Sequence, residues 1–143
     1  MKTKILMITF IVLGLASCKK YDKFDNAEII ENSYTGTISI DNDSDPDGNF
    51  TGNGNSGTFA FAWINSKEKA KVKLSLDNSS SGNVQIILND AKGKEKFKKS
   101  LTGGDNDISF EEFSEAGKIG TWKITLTFSN FNGNGSFEID PAN

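Results

Sequence analysis

Read as a sequence, the chain is all-β: a two-sheet antiparallel β-sandwich of about eight short strands behind an N-terminal targeting segment. Three observations predict this class. From Ser33 onward apolar and polar residues alternate with period two in run after run, which gives each strand one apolar face. Clusters of Gly, Asn, Asp and Ser separate the runs, and these are the residues of tight turns. No stretch of the body has helical periodicity. With no helix to cover them, the apolar strand faces must bury one another.

The elements follow in order. Residues 1–17 carry Lys2 and Lys4, an apolar centre from Ile5 to Leu15 and then small residues, the three parts of a secretory signal. As a helix that centre reaches only about 16 Å, half the hydrocarbon thickness of a bilayer, so it is too short to be a permanent span. Residues 18–32 read as a polar tether, in which Ala27–Glu31 could form a short helix or a first strand. The sandwich is expected over residues 33–143. Its strands read as Tyr34–Ile40, Thr58–Ile64, Ala70–Leu76, Val84–Asn89, Glu95–Leu101, Asp107–Phe113, Thr121–Phe128 and Ser136–Ile139. The clearest are the third, with Ala70, Val72, Leu74 and Leu76 inward, and the seventh, with Trp122, Ile124, Leu126 and Phe128 inward. Gly82 and Gly93 supply the positive φ that hairpins need.

The only cysteine, Cys18, closes the run Leu15, Ala16, Ser17, Cys18. That order resembles the bacterial lipoprotein lipobox: a leucine, two small residues and an invariant cysteine. The resemblance implies a diacylglyceryl group on the Cys18 sulfur, cleavage just before Cys18, and a fatty acyl (palmitate-type) chain on the new amino terminus. Each buried methylene contributes about 0.8 kcal/mol, and two signals anchor stably where one chain holds marginally. The expected location is therefore the cell envelope, with the membrane as a partner through Cys18. Lys19 after the cysteine favours the outer membrane by the sorting rules of some Gram-negative lipoproteins. Both a periplasmic and a surface-facing body remain open.

Composition excludes several chemistries. All 16 basic residues are lysine, and there is no arginine or histidine. Removing residues 1–17 leaves 14 lysines against 19 acids, a net charge of −5, which argues against nucleic acid as a partner. A Ser-His-Asp triad and His-coordinated zinc are ruled out. With Cys18 acylated, the body has no thiol nucleophile, disulfide or thiolate ligand.

The closing segment, residues 113–139, resembles the last strands of bacterial jelly-roll accessory modules such as pre-peptidase and proprotein-convertase P domains. These also place Gly-Thr-Trp or Gly-Thr-Tyr, here Gly120, Thr121 and Trp122, before an alternating strand. A jelly-roll or immunoglobulin-like sandwich is the fold this implies. Between the first two strands, Asp43, Asp45, Asp47 and Gly48 spell D-x-D-x-D-G, which resembles the start of a calcium loop. That resemblance makes Asp43, Asp45 and Asp47 carboxylate ligands, Asn49 a backbone-carbonyl ligand and Gly48 the site of a sharp turn. Calcium is thus the one candidate cofactor, with Asp41, Asp105 or Asp107 as extra ligands. Gly54 stands where an EF-hand has its bidentate glutamate, so a thrombospondin-repeat or dockerin-like loop is the nearer comparison. A solvated acidic loop without ligand is the alternative.

Other candidates carry less chemistry. Lys67, Lys69, Lys71 and Lys73 repeat on one strand face and Lys96 and Lys98 on another, a pattern that keeps strand faces soluble and edges unpaired. Trp63 and Trp122 fall in register with core positions. Phe50 and Phe131, in loops, are the candidate aromatics of a contact surface, although Phe131 equally suits a plug for the end of the sandwich. Glu111 and Glu112 are adjacent, so on a strand they face opposite ways and cannot share a substrate. The expectation is a non-catalytic binding or accessory module whose partner is an envelope protein or a glycan. A surface-coat protein and a calcium- or carboxylate-dependent hydrolase are the alternatives.

Overall fold

The computed structural model describes residues 27–40 and 45–143. The signal segment, Cys18, Asp41 and Asp43 lie outside the described residues. Eight strands are present: β1 (Ala27–Asn32), β2 (Thr37–Ile40), β3 (Asp47–Asn65), β4 (Lys69–Leu76), β5 (Ser81–Asn89), β6 (Glu95–Thr102), β7 (Ser109–Phe113) and β8 (Gly120–Ala142). Of the two alternatives for Ala27–Glu31, the structure shows the strand, paired antiparallel to the second half of β3.

β3 and β8 are long, 19 and 23 residues, and pair with each other along nearly their whole length. Their register shifts between Asn53 and Gly57, opposite a stretch of β8 where Asn130 and Gly133 take positive φ, 47° and 122°. Bulges of this kind bend a strand and increase its twist. There the paired ribbon leaves one sheet and enters the other. Sheet I runs β1–β3–β8–β5–β6, built on Gly57–Asn65 and Gly120–Phe128. Sheet II runs β2–β3–β8–β4–β7, built on Asp47–Asn53 and Asn132–Ala142. The all-β sandwich expected from the sequence is present.

The sandwich consequently has two unlike ends. At the corner end the ribbon bends, and the β1–β2, β4–β5 and β6–β7 connections cross. At the tether end the chain enters at Ala27, opposite Trp63, and the β3–β4, β5–β6 and β7–β8 connections meet, Gly117 N–H donating to the Glu68 carbonyl and Ala91 N–H to that of Lys118.

The core lies between the sheets. Trp63 and Trp122 are direct cross-strand partners, and both are fully buried, as their register predicts. The indole Nε1 of Trp122 donates to the Lys118 carbonyl at 2.8 Å, which satisfies the polar atom that burial removes from water. The third and seventh predicted strands bury the residues named for them: Ala70, Val72, Leu74 and Leu76, and Trp122, Ile124, Leu126 and Phe128.

Two expectations are corrected. The segment from Asp47 to Gly57, expected as a loop, is the first half of β3. Gly48 in it and Gly135 opposite in β8 are there for space: a Cβ on Gly48 would lie 2.7 Å from the Phe137 ring, and one on Gly135 only 2.3 Å from the Phe50 ring. Gly48 faces Phe137 and Phe50 faces Gly135 across the ladder, so each ring fills the place of the opposite side chain. A strand built this way has no hydrophobic alternation to betray it. Phe50 and Phe131, expected as contact aromatics, are 1% and 0% exposed. They pack edge-on with centroids 5.3 Å apart, beside Phe128 and Tyr34, which stacks on Phe128 at 3.8 Å. The four rings plug the corner end.

Candidate functional site

The outer face of sheet II is polar apart from Phe113 at the end of β7, because strand alternation puts the other large apolar residues inside. Cross-strand register lines its residues in rows. One row is short and neutral: Ser39, Asn49, Ser136, Ser75 and Ser109. The next is charged: Asp47, Glu138, Lys73 and Glu111. Short side chains beside long ones leave a shallow depression of about 150 Å³, lined by Asp47, Gly48, Asn49, Lys73, Ser136, Phe137 and Glu138. It offers carboxylate acceptors, an ammonium donor and a hydroxyl within one patch. Asp47 Oδ1 is buried there without a hydrogen-bond partner among the described residues.

The lysine repeat belongs to the same face, and the structure shows why it is not a bare basic stripe. Lys71 pairs with Asp140 at 2.9 Å, and the hydrogen bond and charge of Asp140 raise the lysine above its ordinary value. Lys73 sits between Glu138 and Glu111 on the neighbouring strands. Cross-strand opposite charges of this kind stabilise a sheet modestly. Glu111 and Glu112 do face opposite ways: Glu111 lies opposite Lys73, and Glu112 opposite buried Val72. Glu112 instead bonds Lys99, whose ammonium lies 4.7 Å from the Phe110 ring centre. That contact joins the edge strands β6 and β7 of the two sheets.

The residues of the candidate calcium loop are only partly brought together. Asp43 lies outside the described residues. Asp45 sits just before β3, and its carboxyl is raised by burial and by the charges of Asp140 and Asp47. Asp47 and Asn49 point the same way from the strand. The expected sharp turn at Gly48 is not formed: its φ is not among the positive values, and Gly48 and Asn49 are paired on both sides, to β2 and to β8. The Asn49 backbone is thus sheet ladder and not a loop folded round an ion. Asp105 and Asp107 follow β6 at the corner end, the opposite end from Asp45, so they do not join it. Among the described residues no three His, Cys, Asp or Glu converge to hold a metal.

One polar centre went unread in the sequence. Asp90, only 5% exposed, accepts the backbone N–H groups of Lys92 at 2.9 Å and Lys94 at 3.0 Å through Oδ1, and of Lys118 at 2.9 Å through Oδ2. The Lys118 bond first, with the two others and the Lys96 charge, holds its carboxyl below the ordinary value against the cost of burial. An Asp followed two residues on by a donor is a local turn signal, but the third bond comes from 28 residues away, which no local pattern announces.

No family model matches the chain, and no curated protein matches it in sequence. Solved structures resemble it in shape. A family 61 carbohydrate-binding module in complex with β-1,4-galactotriose has 11% identity and a TM-score of 0.47 over 84% of this chain and 91% of that one. A family 4 carbohydrate-binding module has 8% identity and a TM-score of 0.45 over 85% and 90%. An arabinose-bound GH51 α-L-arabinofuranosidase has 14% identity and a TM-score of 0.43 over 81% of this chain, which spans only 23% of that enzyme. Likeness at this level carries no argument about ligand or activity.

Proposed function

We propose that the protein is a lipid-anchored lipoprotein of the cell envelope, whose β-sandwich is a non-catalytic binding or accessory module. The observation that carries the anchor is the run Leu15, Ala16, Ser17, Cys18 directly after a charged and then apolar segment. The acyl chains on Cys18 hold the protein at its membrane, the outer membrane by the lysine that follows. The partner is an envelope protein or a glycan, taken on the outer face of sheet II. The depression beside Asp47, Asn49, Lys73, Ser136 and Glu138 supports that choice, because acceptors, a donor and a hydroxyl converge there on ground level enough for an extended polar partner.

Weak calcium binding through Asp45 and Asp47, with Asp43, stands on narrower ground than a calcium-loop motif: the charges of Asp140 and Asp47 beside Asp45, which a divalent ion would offset.

The test of the anchor is metabolic labelling with a fatty-acid probe. The wild type takes up label and sediments with membranes, and Cys18→Ser does neither. A Cys18→Ser protein that is still labelled and still membrane-bound overturns the reading.

A further inference from the structure

Large apolar side chains left on the surface are informative when they gather in one place. The described residues expose five: Ile29, Ile30, Ile64, Phe113 and Ile119. Ile29 and Ile30 are on β1, the strand by which the chain enters the fold. Ile64 is one residue from the end of β3, Phe113 ends β7, and Ile119 immediately precedes β8. Thus Ile64, Phe113 and Ile119 lie in the tether half of the sandwich, while Ile29 and Ile30 lie at mid-strand, Ile29 opposite Phe61. Ile64 pairs with Thr121, and Asn65 with Gly120, so Ile64 and Ile119, 52% and 49% exposed, flank one another's strand ends.

The lysines of the connections divide the same way. The connections at the tether end carry exposed Lys67, Lys92, Lys94 and Lys118. Those at the corner end carry no lysine, and carry Asp77, Asp105 and Asp107. Asp90 clamps the β5–β6 and β7–β8 connections to one another, so Ile119, Lys92 and Lys118 are presented on a fixed surface. Acids are present too: the tether-end connections, β2–β3 included, contain Asp41, Asp43, Asp45, Glu68, Asp90 and Glu115 in the sequence, so net charge would not hold this end to an anionic surface. An isoleucine with lysines beside it, as Ile119 has Lys118 next to it in the chain and Lys92 in the connection bonded to that of Lys118, suits the boundary between headgroups and acyl chains, where apolar atoms bury and ammonium groups meet phosphate.

Chain length supplies the occupant. Eight residues separate Cys18 from Ala27, and the nine steps from one Cα to the other span at most about 30 Å when fully extended. If Cys18 is in the bilayer, the tether end is the end that meets it. We infer that the sandwich docks on the lipid surface through Ile64 and Ile119, with Lys92 and Lys118 at the headgroups, leaving the corner end pointing away. This rests on the lipid-anchor reading above, and adds to it an orientation and a second contact that the acyl chains do not require.

The experiment uses the processed lipoprotein in phosphatidylethanolamine–phosphatidylglycerol vesicles. With the Cys18 sulfur acylated, an introduced cysteine is the only free thiol. Ile64→Cys, Ile119→Cys and, at the corner end, Asp105→Cys each receive a polarity-sensitive fluorophore, with lipid-borne quenchers in the headgroup region. Melting curves matching the parent establish that each labelled variant is folded. The expected result is blue-shifted emission and several-fold stronger quenching at positions 64 and 119 than at 105. Acylated protein with the same emission and quenching at all three positions overturns the docking inference and leaves the anchor standing. Mass spectrometry showing Cys18 without acyl groups overturns the anchor, and the inference with it.

Discussion

The two ends of the sandwich solve one problem differently. Both must close the gap between two sheets with connections rich in Gly, Asn, Asp and Ser. At the corner end four aromatic rings, Tyr34, Phe50, Phe128 and Phe131, fill the gap, and almost nothing apolar is left outside. At the tether end a buried carboxylate gathers three backbone donors, and aliphatic side chains stay on the surface. The difference teaches that one end is finished as protein interior, while the other is finished by hydrogen bonds and retains an apolar surface for something else to meet.

The comparison breaks first at its aromatic plugs. Phe131→Ala at the corner end and Trp122→Ala near the tether end should each cost about 3 to 5 kcal/mol of stability, since each deletes a fully buried ring. Denaturant melts of the two variants measure this. A loss below about 1 kcal/mol for Phe131→Ala would return that residue to the surface and make the ends alike.

Asp90→Asn tests the hydrogen-bonded closure. The folded carboxyl lies below its ordinary value of 3.8, so its stabilising contribution is present above the unfolded value and is lost as pH falls through the lower folded value. The variant should therefore melt well below the wild type at pH 7, and the gap should narrow as pH drops below about 4. A gap that stays constant with pH would mean that the charge of Asp90 does not matter to the clamp.

A smaller effect is expected of Tyr34→Phe. The hydroxyl donates to the Thr51 carbonyl at 2.7 Å, and the ring stacks on Phe128 without it. Loss of the bond should cost about 0.5 to 1.5 kcal/mol. A larger loss in denaturant melts would mean that the corner is held by polar contacts as well, which would blur the contrast.

The smallest effect belongs to Asp45. Its carboxyl is raised in the folded protein, so ionisation disfavours folding, and the penalty grows as pH rises through the unfolded and then the folded value. Asp45→Asn should raise the melting temperature slightly at pH 7 and leave it unchanged at pH 3. Calcium at ten times its dissociation constant should add about 1.4 kcal/mol to the wild type and less to Asp45→Asn. Identical melts with and without several millimolar calcium would withdraw the ion from this end.

By itself the sequence determined the class of fold, the burial of Trp63 and Trp122, and the opposed faces of Glu111 and Glu112. Each depends on local alternation or on composition, which a chain carries wherever it folds. The signal pattern and Cys18 are likewise legible only in the sequence. Tertiary structure decided the rest. Gly48 and Gly135 mark a strand and not a loop because Phe137 and Phe50 occupy their missing side chains, and those partners lie some 85 residues apart along the chain. Lys71 and Lys73 of the lysine repeat face acids that only strand order brings beside them. Asp90 becomes a clamp through a donor 28 residues away. Ile64, out of register with Phe59, Phe61 and Trp63, and Ile119, before the Thr121 strand, are far apart in the sequence, and come together only where β3 ends and β8 begins. Period and composition are properties of neighbours in sequence, whereas rows, clamps and patches are properties of neighbours in space, and here the long paired ribbon of β3 and β8 decides which residues those are.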